Sequence, residues 1–196
     1  MRASHPFTGP VLSLIACAIA LNVSAGQVAA ALKFPLYLDM IGTVLCAALA
    51  GFRPAATAAV ASNILAATLG SPSMLFFAPV GVAVAAVSAG SSRLRVFSSL
   101  SVAAAAGVVQ GIVAATLAAP IAAFVFGGVT VAGTDLIVAI YRGSGFSLLQ
   151  STWLQGLTTD IPDKVISYLI VAGLVRDMPT RILARFRIVH DPRRTP

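Results

Sequence analysis

Glutamate is absent from this chain, and its only acids are six aspartates, set against thirteen lysines and arginines. So few charges cannot cover the surface of a water-soluble globule of 196 residues. Cysteine and histidine are equally scarce, with two of each. Cys17 and Cys46 both fall within apolar runs, where they read as small buried hydrophobes and not as a disulfide framework. His5 and His190 sit in the two tails, which leaves no imidazole in the apolar runs to serve a nucleophilic serine or to join a metal-binding cluster. Neither Lys33 nor Lys164 follows glycines in the phosphate-cradling pattern of an ATPase. The glycines that flank the paired aspartates of an intramembrane protease are missing as well. The sequence therefore offers no catalytic constellation, no metal site and no cofactor motif.

Hydrocarbon fills the space that charge leaves. Hydrophobic residues make up 58% of the chain, and mean hydropathy is +0.95, values that match lipid as the surrounding medium. Apolar runs at 10–26, 36–52, 54–70, 74–90, 98–123 and 152–175 are each near the 17 to 25 or so residues that a helix needs to cross a bilayer. The expected fold is an all-α integral membrane protein, a six-transmembrane-helix bundle forming one domain over 1–196. Glycines and charges break up residues 127–145, which reads as a long outer loop between helices 5 and 6 holding a short interfacial helix from Thr134 to Tyr141.

Charge asymmetry gives this bundle a direction. With the N-terminus in the cytoplasm, Arg2, Arg53, Arg93, Arg95, Arg176 and the basic tail to residue 196 all fall inside, while Lys33 and Arg142 fall outside. An even number of spans then satisfies the positive-inside rule with both termini cytoplasmic, in a prokaryotic inner or plasma membrane. The basic tail meets anionic lipid headgroups on this reading and not nucleic acid. Residues 1–26 have the general form of a secretory signal, but removing them would leave five spans and spoil the charge balance. An uncleaved first helix is expected.

Polar residues inside the apolar runs are the functional candidates. Asp39 lies in Phe34-Pro35-Leu36-Tyr37-Leu38-Asp39-Met40-Ile41-Gly42-Thr43, where Pro35 marks the bend from an outer loop into the second helix. Exposing that carboxylate to lipid would cost roughly 2.5 to 3.5 kcal/mol, so it should face protein or water. The last run holds Thr158-Thr159-Asp160-Ile161-Pro162-Asp163-Lys164. Asp160 and Lys164 are spaced as an i,i+4 pair in the favourable order, which leaves Asp163 to find a cavity, another helix or a ligand. Asn63, Gln110, Trp153 and Gln155 are at intermediate depth and can serve as interhelical hydrogen bonds or converge on a pocket. An outward-opening cavity edged by Tyr37 or Trp153 suits an uncharged or zwitterionic organic molecule better than a bare ion. Ala16 and Ala20 lie one turn apart on the first helix, and Gly107 and Gly111 form a GxxxG step on the fifth. Either pair can admit a close neighbour, inside the bundle or from a partner.

Read in order, the stretch Phe34 to Thr43, Gly51-Phe52-Arg53-Pro54, Ser62-Asn63, the run from Ala119-Pro120-Ile121 to Gly127-Gly128-Val129-Thr130, Asp163-Lys164 and Met178-Pro179 resemble the substrate-binding (S) components of energy-coupling-factor (ECF) transporters. The resemblance covers nearly the whole chain. It implies a six-helix membrane subunit that captures a vitamin or related micronutrient from outside and works with a transmembrane T component and two ATPase subunits. Tyr37, Asp39, Asn63, Trp153, Gln155, Asp160, Asp163 and Lys164 are then the substrate-binding candidates. The resemblance also implies that Ala16 and Ala20 match an AxxxA step that docks the T component, and that loops at 27–35, 70–73 and 127–145 cover the ligand. A membrane sensor or scaffold of similar fold that does not transport is the alternative.

The orientation is open to direct test. In a Cys17→Ser, Cys46→Ser background, a single cysteine replacing Arg142 should react with a membrane-impermeant maleimide on intact cells, and one replacing His190 should react only after lysis. External labelling at position 190 would reverse the arrangement.

Overall fold

A computed structural model describes residues 7–130 and 134–186. Arg2, His5, Arg187, His190, Arg193 and Arg194 therefore lie outside the described residues. The described chain is all-helical, with eight α-helices: α1 (Gly9–Ala31), α2 (Ile41–Ala50), α3 (Phe52–Thr68), α4 (Ala78–Arg93), α5 (Leu100–Phe124), α6 (Asp135–Gly143), α7 (Leu148–Asp177) and α8 (Thr180–Leu183). Single 3-10 turns at Pro72–Leu75 and Val96–Ser98 precede α4 and α5. Helices α1 and α5 are long and apolar enough to cross a membrane. A short helix, α6 at Asp135–Gly143, occupies the place where one was expected at 134–141.

Helix ends follow local chemistry. Ser147 opens α7 with a capping box, its hydroxyl accepting from the Gln150 amide at 3.3 Å while the Gln150 side chain accepts from the Ser147 amide at 2.9 Å. Past the end of α1, Lys33 turns left-handed at φ 51° and the Phe34 amide reaches back to the Ala29 carbonyl at 2.9 Å, which uses an otherwise orphaned acceptor. The second apolar run differs most from expectation. Helix begins only at Ile41, six residues after Pro35, and runs for 10 residues. At 1.5 Å per residue that is about 15 Å, half the thickness of a hydrocarbon core. Residues 32–40 form instead a non-helical arm folded against the bundle, for reasons that belong to the site.

Glycine decides how α5 and α7 meet. A Cβ on Gly107 would come within 2.7 Å of Val165 Cα, and one on Gly111 within 2.5 Å of Ile161 Cα and 2.8 Å of the Asp160 carbonyl oxygen. The GxxxG step thus packs inside the molecule, backbone against backbone, directly behind the turn that carries Asp160 and Lys164. Overfilling such a contact typically costs about 1–3 kcal/mol, and here the displaced backbone would be that of the candidate site. A similar approach joins α1 to α2, where a Cβ on Gly42 would collide with the Ala18 carbonyl. Ala18 is accordingly buried, whereas Ala16 and Ala20 lie on the opposite, exposed face of α1.

The bundle has two chemically different ends. At one, the Ser92 hydroxyl donates to the Ala48 carbonyl at 3.0 Å and Phe97 packs on Tyr168 with ring centroids 5.2 Å apart. Exposed Arg53, Arg93, Arg95, Arg181 and Arg185 belong to this end. At the other, the Tyr37 hydroxyl pairs with the Thr134 hydroxyl at 3.1 Å, and Phe77 stacks on Phe126 at 5.9 Å. One placement corrects the sequence reading, and a second takes one of the two roles it left open. Cys46 is buried as expected, but Cys17 is exposed, because it lies on the same outward face as Ala16 and Ala20. Gln110 is fully buried beside Tyr168, whose hydroxyl donates to its Oε1 at 3.2 Å. It serves the core and not a cavity.

Candidate functional site

Helix α7 alternates sharply between faces. Gln155, Gly156, Thr159, Asp160, Asp163, Lys164, Ser167 and Tyr168 point inward, while Trp153, Thr158, Pro162 and Ile166 point out. At 3.6 residues per turn, two positions differ by about 200° around the helix. Trp153 and Gln155 therefore cannot share a face. Gln155 is inside, and Trp153 is 39% exposed with its indole N–H donating to the Thr116 hydroxyl at 3.2 Å. Trp153 lines neither of the cavities described below, and its expected role in binding is withdrawn on that ground.

The acids and the lysine pair differently from the i,i+4 expectation. Lys164 Nζ makes its close ion pair and hydrogen bond with Asp163 Oδ2, while Asp160 Oδ1 stands off at 3.9 Å. The other oxygen of Asp163, Oδ1, accepts from the Leu38 backbone N–H at 2.7 Å. Asp163 is completely buried. It is thus a latch that neutralises Lys164 and at the same time holds the arm. The latch explains why the second apolar run starts as coil: Leu38 is left-handed at φ 53°, a conformation that costs a side-chain-bearing residue on the order of 1 kcal/mol. The charge-assisted hydrogen bond from Asp163 offsets that strain. Residues on either side of Leu38, Tyr37 and Asp39, are thereby both directed into the interior.

Two adjoining cavities lie at this junction. The outer one, about 340 Å³, is walled by the second half of α1, the arm, α3, the Gly70 to Met74 turn and Phe126, Val129 and Thr130. The inner one, about 90 Å³, runs between the arm, α4, α5 and α7 and is lined by Gln155, Gly156, Asp160 and Lys164. Tyr37, Asp39, Asn63, Ser73, Met74 and Thr130 border both. Of the candidates read from sequence, Tyr37, Asp39, Asn63, Gln155, Asp160 and Lys164 come together here, while Asp163 stands behind the wall as the latch. Segments 27–35, 70–73 and 127–145 each send residues to the outer cavity.

Hydrogen bonds fix the border. Gln155 Nε2 donates to the Tyr37 hydroxyl at 3.1 Å and to the Thr159 hydroxyl at 2.8 Å. Ser73 donates to the Thr130 carbonyl at 3.4 Å, which ties the two loops at the rim. Asn63 is different: it is 3% exposed and its Nδ2 has no partner. A buried donor left in this state costs about 1–3 kcal/mol unless something else accepts from it. Asn22, which the sequence reading passed over, is fully used. Its Nδ2 donates to the Thr43 hydroxyl at 2.9 Å and the Ser62 hydroxyl at 3.1 Å, and its Oδ1 accepts from the Gly42 amide at 2.7 Å. It binds α1, α2 and α3 into one wall. The signal was present, since Asn22 is the sole amide side chain in the apolar body of the first run.

No protein-family model, curated protein or solved structure matches this chain. The functional reading accordingly rests on the residues and their geometry.

The latch and the cavity wall should separate in stability measurements. Removing one member of a buried ion pair strands the other, at about 3–5 kcal/mol, so Asp163→Ala should lower the thermal stability of the purified protein far more than Asp160→Asn. The double variant Asp163→Leu/Lys164→Met should recover much of the loss. Equal losses from Asp163→Ala and Asp160→Asn would contradict the assignment of Asp163 as the latch.

Proposed function

We propose that this chain is the substrate-binding S component of an ECF-type importer, a membrane subunit that captures a vitamin-class micronutrient from outside and delivers it inward with a T component and two ATPase subunits. The observation that carries the reading is the pair of joined cavities, placed at one end of an apolar helical bundle and bordered by most of the polar side chains that lipid would reject. On this reading α1, α2 with its arm, α3, α4, α5 and α7 are the six crossings, and α6 lies along the outer surface. The exposed faces of α5 and α7 support it, because Val102, Val109, Ile112 and Leu117 on the one and Ile166, Ile170 and Leu174 on the other are apolar side chains directed away from the bundle. Water would penalise such a surface and lipid would not.

Both termini are then cytoplasmic, since the arginine-bearing end lies opposite the cavity. The outer cavity is of a size that holds a small organic molecule. Capture at the outer end and engagement of partners elsewhere on the bundle require two separate surfaces. The outward face of α1, with Ala16 and Ala20 exposed and bordering neither cavity, is suited to the second.

Enlarging that face separates the two functions. Ala16→Leu/Ala20→Leu should bind the co-purifying small molecule with parental affinity as an isolated protein, yet fail in ATP-driven uptake when reconstituted in liposomes with T component and ATPases. Uptake at the parental rate would remove α1 as the docking face. No ATP-dependent uptake by the parental protein would remove the importer reading and leave a non-transporting binding protein.

A further inference from the structure

The charge around the inner cavity does not balance. Asp160 and Asp163 share a single ammonium, that of Lys164, with Asp163 holding it in the close pair, and Asp39 borders the same cavity. Among the described residues, Lys164 is the one cationic side chain bordering either cavity, whereas Asp39 and Asp160 both border the inner one. Two carboxylates therefore face this space with one ammonium between them, and that ammonium is closely paired with a third. A carboxylate withdrawn from bulk water either takes up a proton or is stabilised by an opposite charge brought close, and a cationic ligand supplies the second. At the same border, Asn63 presents a buried N–H with no acceptor. These two features are independent. The first calls for a positive group and the second for an acceptor.

We propose that the ligand is a small organic cation built on a flat ring and bearing a hydrogen-bond acceptor. Its positive group enters the inner cavity between Asp39 and Asp160, its acceptor takes the Asn63 N–H at the border, and its ring occupies the outer cavity beside Phe126. Dimensions agree with this division. The inner cavity of about 90 Å³ admits a substituent and not a ring system, while the outer one of about 340 Å³ has room for the remainder. Phe126, stacked on Phe77 with planes 13° apart, borders the outer cavity and supplies an aromatic surface for the ring to pack against. This departs from the uncharged or zwitterionic molecule expected from sequence. A zwitterion's carboxylate would find no free cation here, because Lys164 is committed to Asp163. The inference deepens the importer reading and rests on it only for the direction in which the ligand travels.

The test uses the isolated protein in lipid nanodiscs and three ring probes of nearly one shape, each carrying a carboxamide acceptor and differing in one substituent: 3-(aminomethyl)benzamide, a cation; 3-(hydroxymethyl)benzamide, which is neutral; and 3-carbamoylbenzoate, an anion. Calorimetric titration should show the cation binding at least about tenfold more tightly than the neutral probe, with the anion weakest. Asp160→Asn and Asp39→Asn, each isosteric and confirmed as folded by monodispersity, should bring the cation-to-neutral ratio toward one. Asn63→Leu should weaken the cation and the neutral probe alike and leave their ratio unchanged. Equal or tighter binding of the neutral or anionic probe overturns the proposal, as does a ratio unmoved in both aspartate variants or the absence of cation binding at millimolar concentration. Cation selectivity without ATP-driven uptake would remove the importer reading alone. Uptake of a neutral or anionic substrate would remove the cation assignment alone.

Discussion

A carboxylate shared between an ammonium and a backbone amide is the contact on which the rest of this structure depends. Asp163 neutralises Lys164 with one oxygen and receives the Leu38 N–H with the other. Without the first interaction a lysine is stranded inside an apolar bundle. Without the second, the arm has no reason to keep a left-handed leucine in place of another turn of helix. The two functions of one side chain tie the position of α7 to the path of residues 34–40, and so determine where Tyr37 and Asp39 point. A cavity between them follows from that geometry.

Packing around the latch makes it rigid from behind. Gly107 and Gly111 let α5 lie backbone to backbone on α7 at Asp160, Ile161 and Val165, so the charged turn has little freedom to retreat. Asn22 performs the corresponding task across the cavity, with hydrogen bonds that join α1, α2 and α3. Between these two fixed walls stand the side chains that are less completely used: Asn63 with an unpartnered amide, Asp160 at 3.9 Å from its nearest cation, and Asp39 open to both cavities. Asn22, Tyr37 and Gln155 on the cavity walls are held by hydrogen bonds, whereas Asn63 at the border keeps a buried donor without a partner, as Gln110 and Ser151 do in the packed core. What sets Asn63 apart is that its free donor stands beside two carboxylates at a cavity.

Much of the helical framework was legible because long apolar runs broken by charge and glycine delimit apolar helices and the turns between them. The short α6 was legible as the stretch free of glycine between Gly133 and Gly143 in an otherwise broken connection. The start of α2 was not, because Leu36 to Met40 is apolar enough to continue a helix and the bond that diverts it comes from Asp163, distant in sequence. Spacing alone favoured Asp160 as the partner of Lys164, since i,i+4 neighbours share a helix face. Burial reversed the preference by giving Asp163 a second donor to hold. Trp153 was drawn in by its proximity to Gln155 in sequence, although a two-residue step on a helix separates the faces. The GxxxG step left internal and external packing equally open until α7 was found against it.

If the unsaturated polar groups between α3, α7 and the arm hold a small molecule, gentle purification should retain it. Native mass spectrometry of the protein released from nanodiscs after gentle purification tests this most directly. The account predicts a fraction of the protein carrying one additional small organic mass, identifiable by fragmentation, that is lost from Asn63→Leu and Asp160→Asn but kept in Ala16→Leu/Ala20→Leu. A bound mass retained equally by all of these variants, or only lipid adducts on the parental protein, would contradict it.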